Sequence, residues 1–163
     1  MMVAAEADRR GRLAARGATD DEIGDDPELR AIREEHAARL WDVLDDLEAW
    51  PGRGVVGEDG ADAAWRIAQY AITDPELQRR CVRAMETAVD LGDASPVQHA
   101  FLVDRVRMSE GRPQLYGSQV VRGPDGTSLV AWPVDDVEAV DERRARLGLP
   151  PLAQHLAALR ARH

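Results

Sequence analysis

Between Glu28 and Leu47 the chain carries Leu29, Ile32, His36, Leu40, Val43 and Leu47 at spacings of three and four, the repeat of a single helix face. A stripe of that length demands an amphipathic helix whose apolar side is buried against other elements, which commits the chain to a helical core. Trp50-Pro51-Gly52 closes the stripe, because proline biases Trp50 out of the α region and glycine permits a turn.

The rest of the chain is punctuated in the same way. Residues 53–60 (RGVVGEDG), with three glycines, read as a structured loop. Ala61, Ala64, Trp65, Ala68 and Ile72 mark a short helix with small contact residues. Thr73-Asp74-Pro75-Glu76 is a capping box that starts a helix whose inner face is Leu77, Cys81, Met85 and Ala88, with Gly92 placed to end it. Ser95-Pro96-Val97-Gln98 repeats the start signal and predicts a helix through Met108, although Phe101-Leu102-Val103 is β-prone and a strand stays open. Beyond Gly111 the texture changes: QLYGSQVVR, the turn Gly123-Pro124-Asp125-Gly126 and TSLVAW predict one β-hairpin near residues 114–132. Asp135 with Glu138 caps a further helix through Leu147, stopped by Gly148 and Pro150, and a last helix runs from Pro151 to Arg160. Residues 1–18 lack a sustained stripe, and Thr19–Pro27 is acidic with Gly and Pro, a linker or loop. The expected architecture is α+β and mainly α-helical: a compact domain over 28–163 with one hairpin, preceded by a tail or peripheral helix over 1–27.

A chain of 163 residues can bury such a core without metal or disulfide support. Its net charge of −9 argues against nucleic acid and anionic membranes as partners, since both attract cationic surfaces. No segment has the ~20 apolar residues of a membrane span, and Cys81 is the sole cysteine, so no internal disulfide forms and a reducing cytoplasm is the expected setting. Lysine and asparagine are absent; all non-histidine bases are arginines, which makes composition a weak argument for any one of them. His36, His99, His155 and His163 have no ligand spacing, so neither a metal nor a cofactor is expected, and no phosphate-loop, dinucleotide or nucleophile-elbow motif is present. His36 reads as a core or rim histidine and Cys81 as a small core residue.

Chemistry concentrates in Asp104–Gln119, DRVRMSEGRPQLYGSQ. Helical register sets Asp104 beside Val97, Ala100, Phe101 and Met108, where an unpaired carboxylate would cost several kcal/mol. Arg144 shares that oddity among Val137, Val140 and Leu147, so the two are expected to meet, as a buried structural bridge or as an anion-holding pocket. Gln114 and Tyr116 fall on one strand face, and Gln119 joins them if Gly117 makes a bulge. An ordinary edge hairpin is the alternative.

These residues also carry a family likeness. WPGRGVVGEDGADAAW, AQYAITDPELQRRC, DRVRMSEGRPQLYGSQ and VDDVEAVDERRARLGLPPL together resemble the bacterial domain-of-unknown-function family numbered 6624, over Glu28 to His155. The resemblance singles out Trp50, Gly57, Gln69, Gln78, Asp104, Arg105, Gln114, Tyr116, Gln119, Arg143 and Arg144. Where the family has Gln-His this chain has Gln69-Tyr70, so a proton-transfer role for that histidine would be lost here or taken by Tyr70; Ser118 replaces a threonine and keeps the hydroxyl.

Two functional readings stay open. One is a polar pocket for a small anionic or amide-bearing ligand. As an enzyme it would use Asp104 as acid or base, Tyr70 or Tyr116 as hydroxyl donor, Arg105 or Arg144 as anion anchor, and Gln69, Gln114 and Gln119 as orienting groups, with Arg143 a further ligand-binding residue. The other is a protein-binding accessory or immunity-type module acting through acidic stretches at Asp20–Asp26 and Asp42–Asp46.

Overall fold

A computed structural model describes residues 2–16 and 25–161 of the chain. It is mainly helical with one two-stranded antiparallel sheet, and it divides into two compact units, Met1–Ala94 and Ser95–His163. The segment 2–15 is a helix packed within the first unit. Of the predicted Thr19–Pro27 loop, residues 19–24 lie outside the described residues, as does His163.

The first unit holds α1 (Met2–Ala15), α2 (Pro27–Leu47), α3 (Arg53–Tyr70) and α4 (Pro75–Asp90). Helix α2 packs on α1 and α3, and α3 packs on α1 and α4. The apolar stripe of α2 buries Leu29, His36, Ala37, Leu40 and Leu44, whereas Val43 and Leu47 stay about one-third exposed. A helix turns 3.6 residues per repeat, so the buried line drifts from 43 to 44. Asp26 caps α2 by accepting the Leu29 N–H at 2.9 Å, and Asp74 does the same for α4 through Leu77 N at 2.9 Å while its other oxygen takes the Trp41 indole N–H at 2.7 Å. The inner face of α4 is Leu77, Gln78, Cys81, Met85 and Ala88. Fully enclosed Leu29, Leu44, Leu77 and Met85 each contribute roughly 1.5–3 kcal/mol of hydrophobic stabilisation.

Residues 53–60 differ from the expected loop: they are helical, broken at Gly57, whose φ of 74° only glycine adopts readily. Gly52 supplies no capping side chain, so Asp93 does it from across the unit, accepting the Gly54 N–H at 2.7 Å. A Cβ on Gly52 would sit 1.9 Å from an Asp93 oxygen, which explains glycine there. Ile72, expected on the inner face of this helix, lies beyond its end and is exposed.

The second unit holds α5 (Pro96–Ser109), β1 (Val120–Arg122), β2 (Leu129–Ala131), a 3-10 turn (Val137–Ala139), α6 (Val140–Arg146) and α7 (Leu152–Arg160). Residues 96–109 are helical, with Ser95 as the cap, which settles the strand alternative. The strands pair Val120 with Ala131, Val121 with Val130 and Arg122 with Leu129. The hairpin is thus shorter than the predicted 114–132; Gln114 and Tyr116 lie before it in irregular backbone, and Gln114 makes only an isolated parallel bridge to Val134. Asp135 does not cap the following helix. Its side chain pairs with Arg107 at 3.1 Å instead, and Asp136 begins the 3-10 turn at φ 48° without a side-chain cap.

Candidate functional site

Asp104 is sealed from solvent, as its apolar register requires, and the segment after Gly111 folds around its carboxylate. Oδ1 accepts the backbone N–H of Leu115 at 2.7 Å and of Tyr116 at 3.1 Å; Oδ2 accepts Ser118 N–H at 3.0 Å and the Ser118 hydroxyl at 2.9 Å. Successive amides converge on one acceptor because Gly117 takes φ 70°, turning the chain into a concave donor nest. The nest holds an internal carboxylate in the way others hold a bound anion. Side chain and loop satisfy each other, which answers the cost of burying the charge.

Arg144 is 1 % exposed and lies against the same loop, but among the described residues it forms no direct ion pair with Asp104. Its Nε donates to the Pro150 carbonyl at 2.6 Å and its Nη1 to the Tyr116 carbonyl at 2.7 Å. One peptide segment is therefore gripped through its N–H groups by Asp104 and through a C=O by Arg144. Burial pushes the Arg144 guanidinium pKa down, while the nearby Asp141 and Asp104 carboxylates pull it back up. Arg143 donates Nε to Leu115 O at 2.7 Å and Nη2 to Asp136 O at 3.0 Å. Arg105, next to Asp104 on α5, is half-buried, and Tyr116 is half-buried in the loop.

Gln114, fully buried, replaces strand pairing with its amide. Its Nε2 donates to Gln119 O at 2.9 Å and Trp132 O at 2.7 Å, and its Oε1 accepts Gln119 N–H at 2.8 Å. Gln119 Nε2 donates to the Ser118 hydroxyl at 3.0 Å. The structure brings Asp104, Gln114, Gln119, Arg143 and Arg144 together, and it uses their polar atoms to shape backbone. Arg107 was not singled out by the sequence and belongs to the same scheme, donating to Pro113 O at 2.6 Å. Its place one turn after Asp104 on a helix ending in Gly111 is the signal that could have found it.

Gln69 and Tyr70 belong to the first unit, and Tyr70 lies in a second polar cluster. Tyr70 is 38 % exposed, and two guanidiniums cover its ring: Arg10 of α1 at 5.8 Å and Arg33 of α2 at 5.1 Å from the centroid. Glu6 neutralises Arg33 through a 2.9 Å bond. Arg10 has no carboxylate partner among the described residues. Gln69 is buried, and its Nε2 has no hydrogen-bond partner among them. His36 is buried on the same helix as Arg33; burial lowers its pKa, Glu6 and Glu35 act to raise it, and Arg39 adds to the lowering. Glu6 and Arg10 were missed because their helix has no apolar stripe, and Arg33 because an arginine-rich composition gave no reason to choose it. The signal present was Glu6 one turn from Arg10.

Cys81 is buried in α4, and burial pushes its thiol up to about 12, the state of a packed side chain and not of a nucleophile. Gln78 is equally enclosed and donates to Ala68 O at 2.9 Å, tying α4 to α3. No group of three or more His, Cys, Asp or Glu side chains among the described residues is arranged to hold a metal ion, and no described helix is long and apolar enough to cross a membrane.

The two units thus define a helical α+β protein with a backbone-shaping polar core in one and a cation-rich aromatic cluster in the other. The family of unknown function DUF6624 matches residues 2–162, and the chain belongs to that family. The match takes in α1 as well as the quoted motifs. Comparison with curated proteins gives no match, and comparison with solved structures gives none either.

Proposed function

We propose that the protein binds a small anionic ligand, a carboxylate or a phosphate ester, at the cluster formed by α1, α2 and α3. Arg10 and Arg33 are its anion anchors and Tyr70 its hydroxyl donor. The observation that carries this reading is the pair of guanidiniums from two different helices over one part-exposed phenol ring, with Glu6 the single carboxylate paired to them among the described residues. An incoming anion supplies the missing charge, and arginine's planar fork suits it. Asp104 has no part in this role, since its oxygens already accept four donors away from solvent. The single buried cysteine supports a reducing, cytoplasmic setting in a bacterial cell.

The test is a thermal-shift and calorimetric screen of inorganic phosphate, sugar phosphates, aryl carboxylates and short dicarboxylates. At least one class is expected to raise the melting temperature of the wild type, with the response lost in Arg10→Gln and reduced in Tyr70→Phe. Arg39→Gln, a change at an exposed pair on α2, serves as the charge control. An anion response that survives Arg10→Gln together with Arg33→Gln would place the ligand elsewhere, and no response to any class would end the proposal.

A further inference from the structure

A second feature of the first unit is independent of the Tyr70 cluster. Between the C-terminal half of α2 and α3 runs a groove of about 650 Å³, walled by Leu40, Val43, Pro51, Val56, Ala63 and Ile67. Its shape follows from two glycines. Gly57, at φ 74°, breaks α3 so that the preceding turn leaves Val55 63 % and Val56 40 % exposed. Gly60 lets that turn fold close, since a Cβ there would meet the Val56 side chain at 2.8 Å. Val43 and Leu47, successive on one face of α2, extend the apolar strip. An exposed apolar strip of this kind marks an interaction surface.

Four charged residues line the groove, Arg39, Asp59, Asp62 and Arg66, and of these Asp59 alone forms no ion pair among the described residues. Arg39 is tied to Glu35 at 2.6 Å and Arg66 to Asp62 at 2.8 Å. Asp59 is exposed in the lining, and Asp42, Asp46 and Glu58, exposed and within three residues in sequence of lining residues, likewise form no ion pair among the described residues. We infer that the groove docks a short amphipathic helix of a partner protein, with an apolar stripe at three- and four-residue spacing and basic residues flanking it. The apolar stripe would fill the groove and the bases would meet the acidic rim, the helix-in-groove mode of recognition.

Fluorescence anisotropy with three labelled synthetic peptides tests this. One carries leucines at helical spacing with lysines on the polar face, one carries the same leucines with glutamates, and one is a scramble of the first without helical spacing. The first is expected to bind, more weakly as salt rises, and at least about tenfold more tightly than the other two, a difference of 1.4 kcal/mol. Val56→Glu is expected to abolish binding, and the triple change Asp42→Asn, Asp46→Asn, Asp59→Asn to weaken it. Should Val56→Glu fail to fold, Val43→Glu serves, because both side chains are exposed at the groove. Equal binding of the scramble, binding of the acidic peptide, or no binding at all overturns the inference. Sedimentation showing a dimer of this chain that Val56→Glu dissociates would overturn it in favour of self-association.

Discussion

Replacing Asp104 by alanine removes one acceptor set and strands four donors: the N–H groups of Leu115, Tyr116 and Ser118, and the Ser118 hydroxyl. Each buried donor left unsatisfied costs about 1–3 kcal/mol. The hydroxyl can rotate to other partners and the loop can open to water, so the loss is smaller than the sum, about 3–5 kcal/mol, the range for breaking a buried charged contact. Asp104→Asn is the sharper test because it keeps size and shape. If its amide oxygen takes the Leu115 and Tyr116 sites, its NH₂ faces the Ser118 N–H, donor against donor. One orphaned amide and the loss of charge assistance predict about 2–3 kcal/mol. Native-state hydrogen exchange resolves this by residue, with protection falling at Leu115, Tyr116 and Ser118 before it falls on α4 in the other unit. A cost for Asp104→Asn below about 0.5 kcal/mol, with those three amides still protected, would refute the claim that the carboxylate shapes the loop.

Gly117→Ala is expected to cost about 1–3 kcal/mol, measured by denaturant unfolding, because φ 70° disfavours a side chain and its Cβ would lie 2.5 Å from Leu152 Cδ1. Acid should loosen α1. The Arg9 guanidinium and the Leu29 N–H hold the Asp26 carboxyl below its ordinary value, so its contribution is complete above the unfolded pKa near 4 and is lost as pH falls through the folded one. The melting-temperature gap between wild type and Arg9→Gln should therefore be widest at neutral pH and close on acidification; a gap independent of pH would contradict this.

The helices were legible because their signals are periodic and local. The stripe of α2, the Asp-Pro and Ser-Pro starts of α4 and α5, and the inner face Leu77, Cys81, Met85 all stand where spacing and capping chemistry place them. The apolar register of Asp104 correctly announced a buried carboxylate, but it could not name the partner. Side-chain letters make Arg144 the obvious candidate, whereas backbone N–H groups, present at every residue but proline, are invisible in a sequence. The same blindness hid the role of Gln114, whose amide stands in for strand pairing. Residues 53–60 misled because glycines that usually mean loop here allow a broken helix to fold tightly. Helix α1 left little mark in the sequence because it is tied to α2 and its cap by ion pairs, Arg9 to Asp26 at 2.6 Å and Glu6 to Arg33 at 2.9 Å, which carry no periodic apolar signal.

The Asp104 nest also bears on the order in which the chain can fold. Its bonds reach only 11 to 14 residues ahead along the chain, so the loop-closure entropy they must overcome is small. The four donors have no common target until α5 has formed far enough to present its carboxylate at a fixed point. Bringing Arg143 and Arg144 onto the same loop closes 28 residues, a doubling of loop length that adds only about 0.6 kcal/mol of closure entropy, so the carboxylate contacts are the more local of the two sets by a small margin. In the folded chain the acid and the arginines thus hold the same short segment from its two sides, the acid through N–H groups and the arginines through carbonyls.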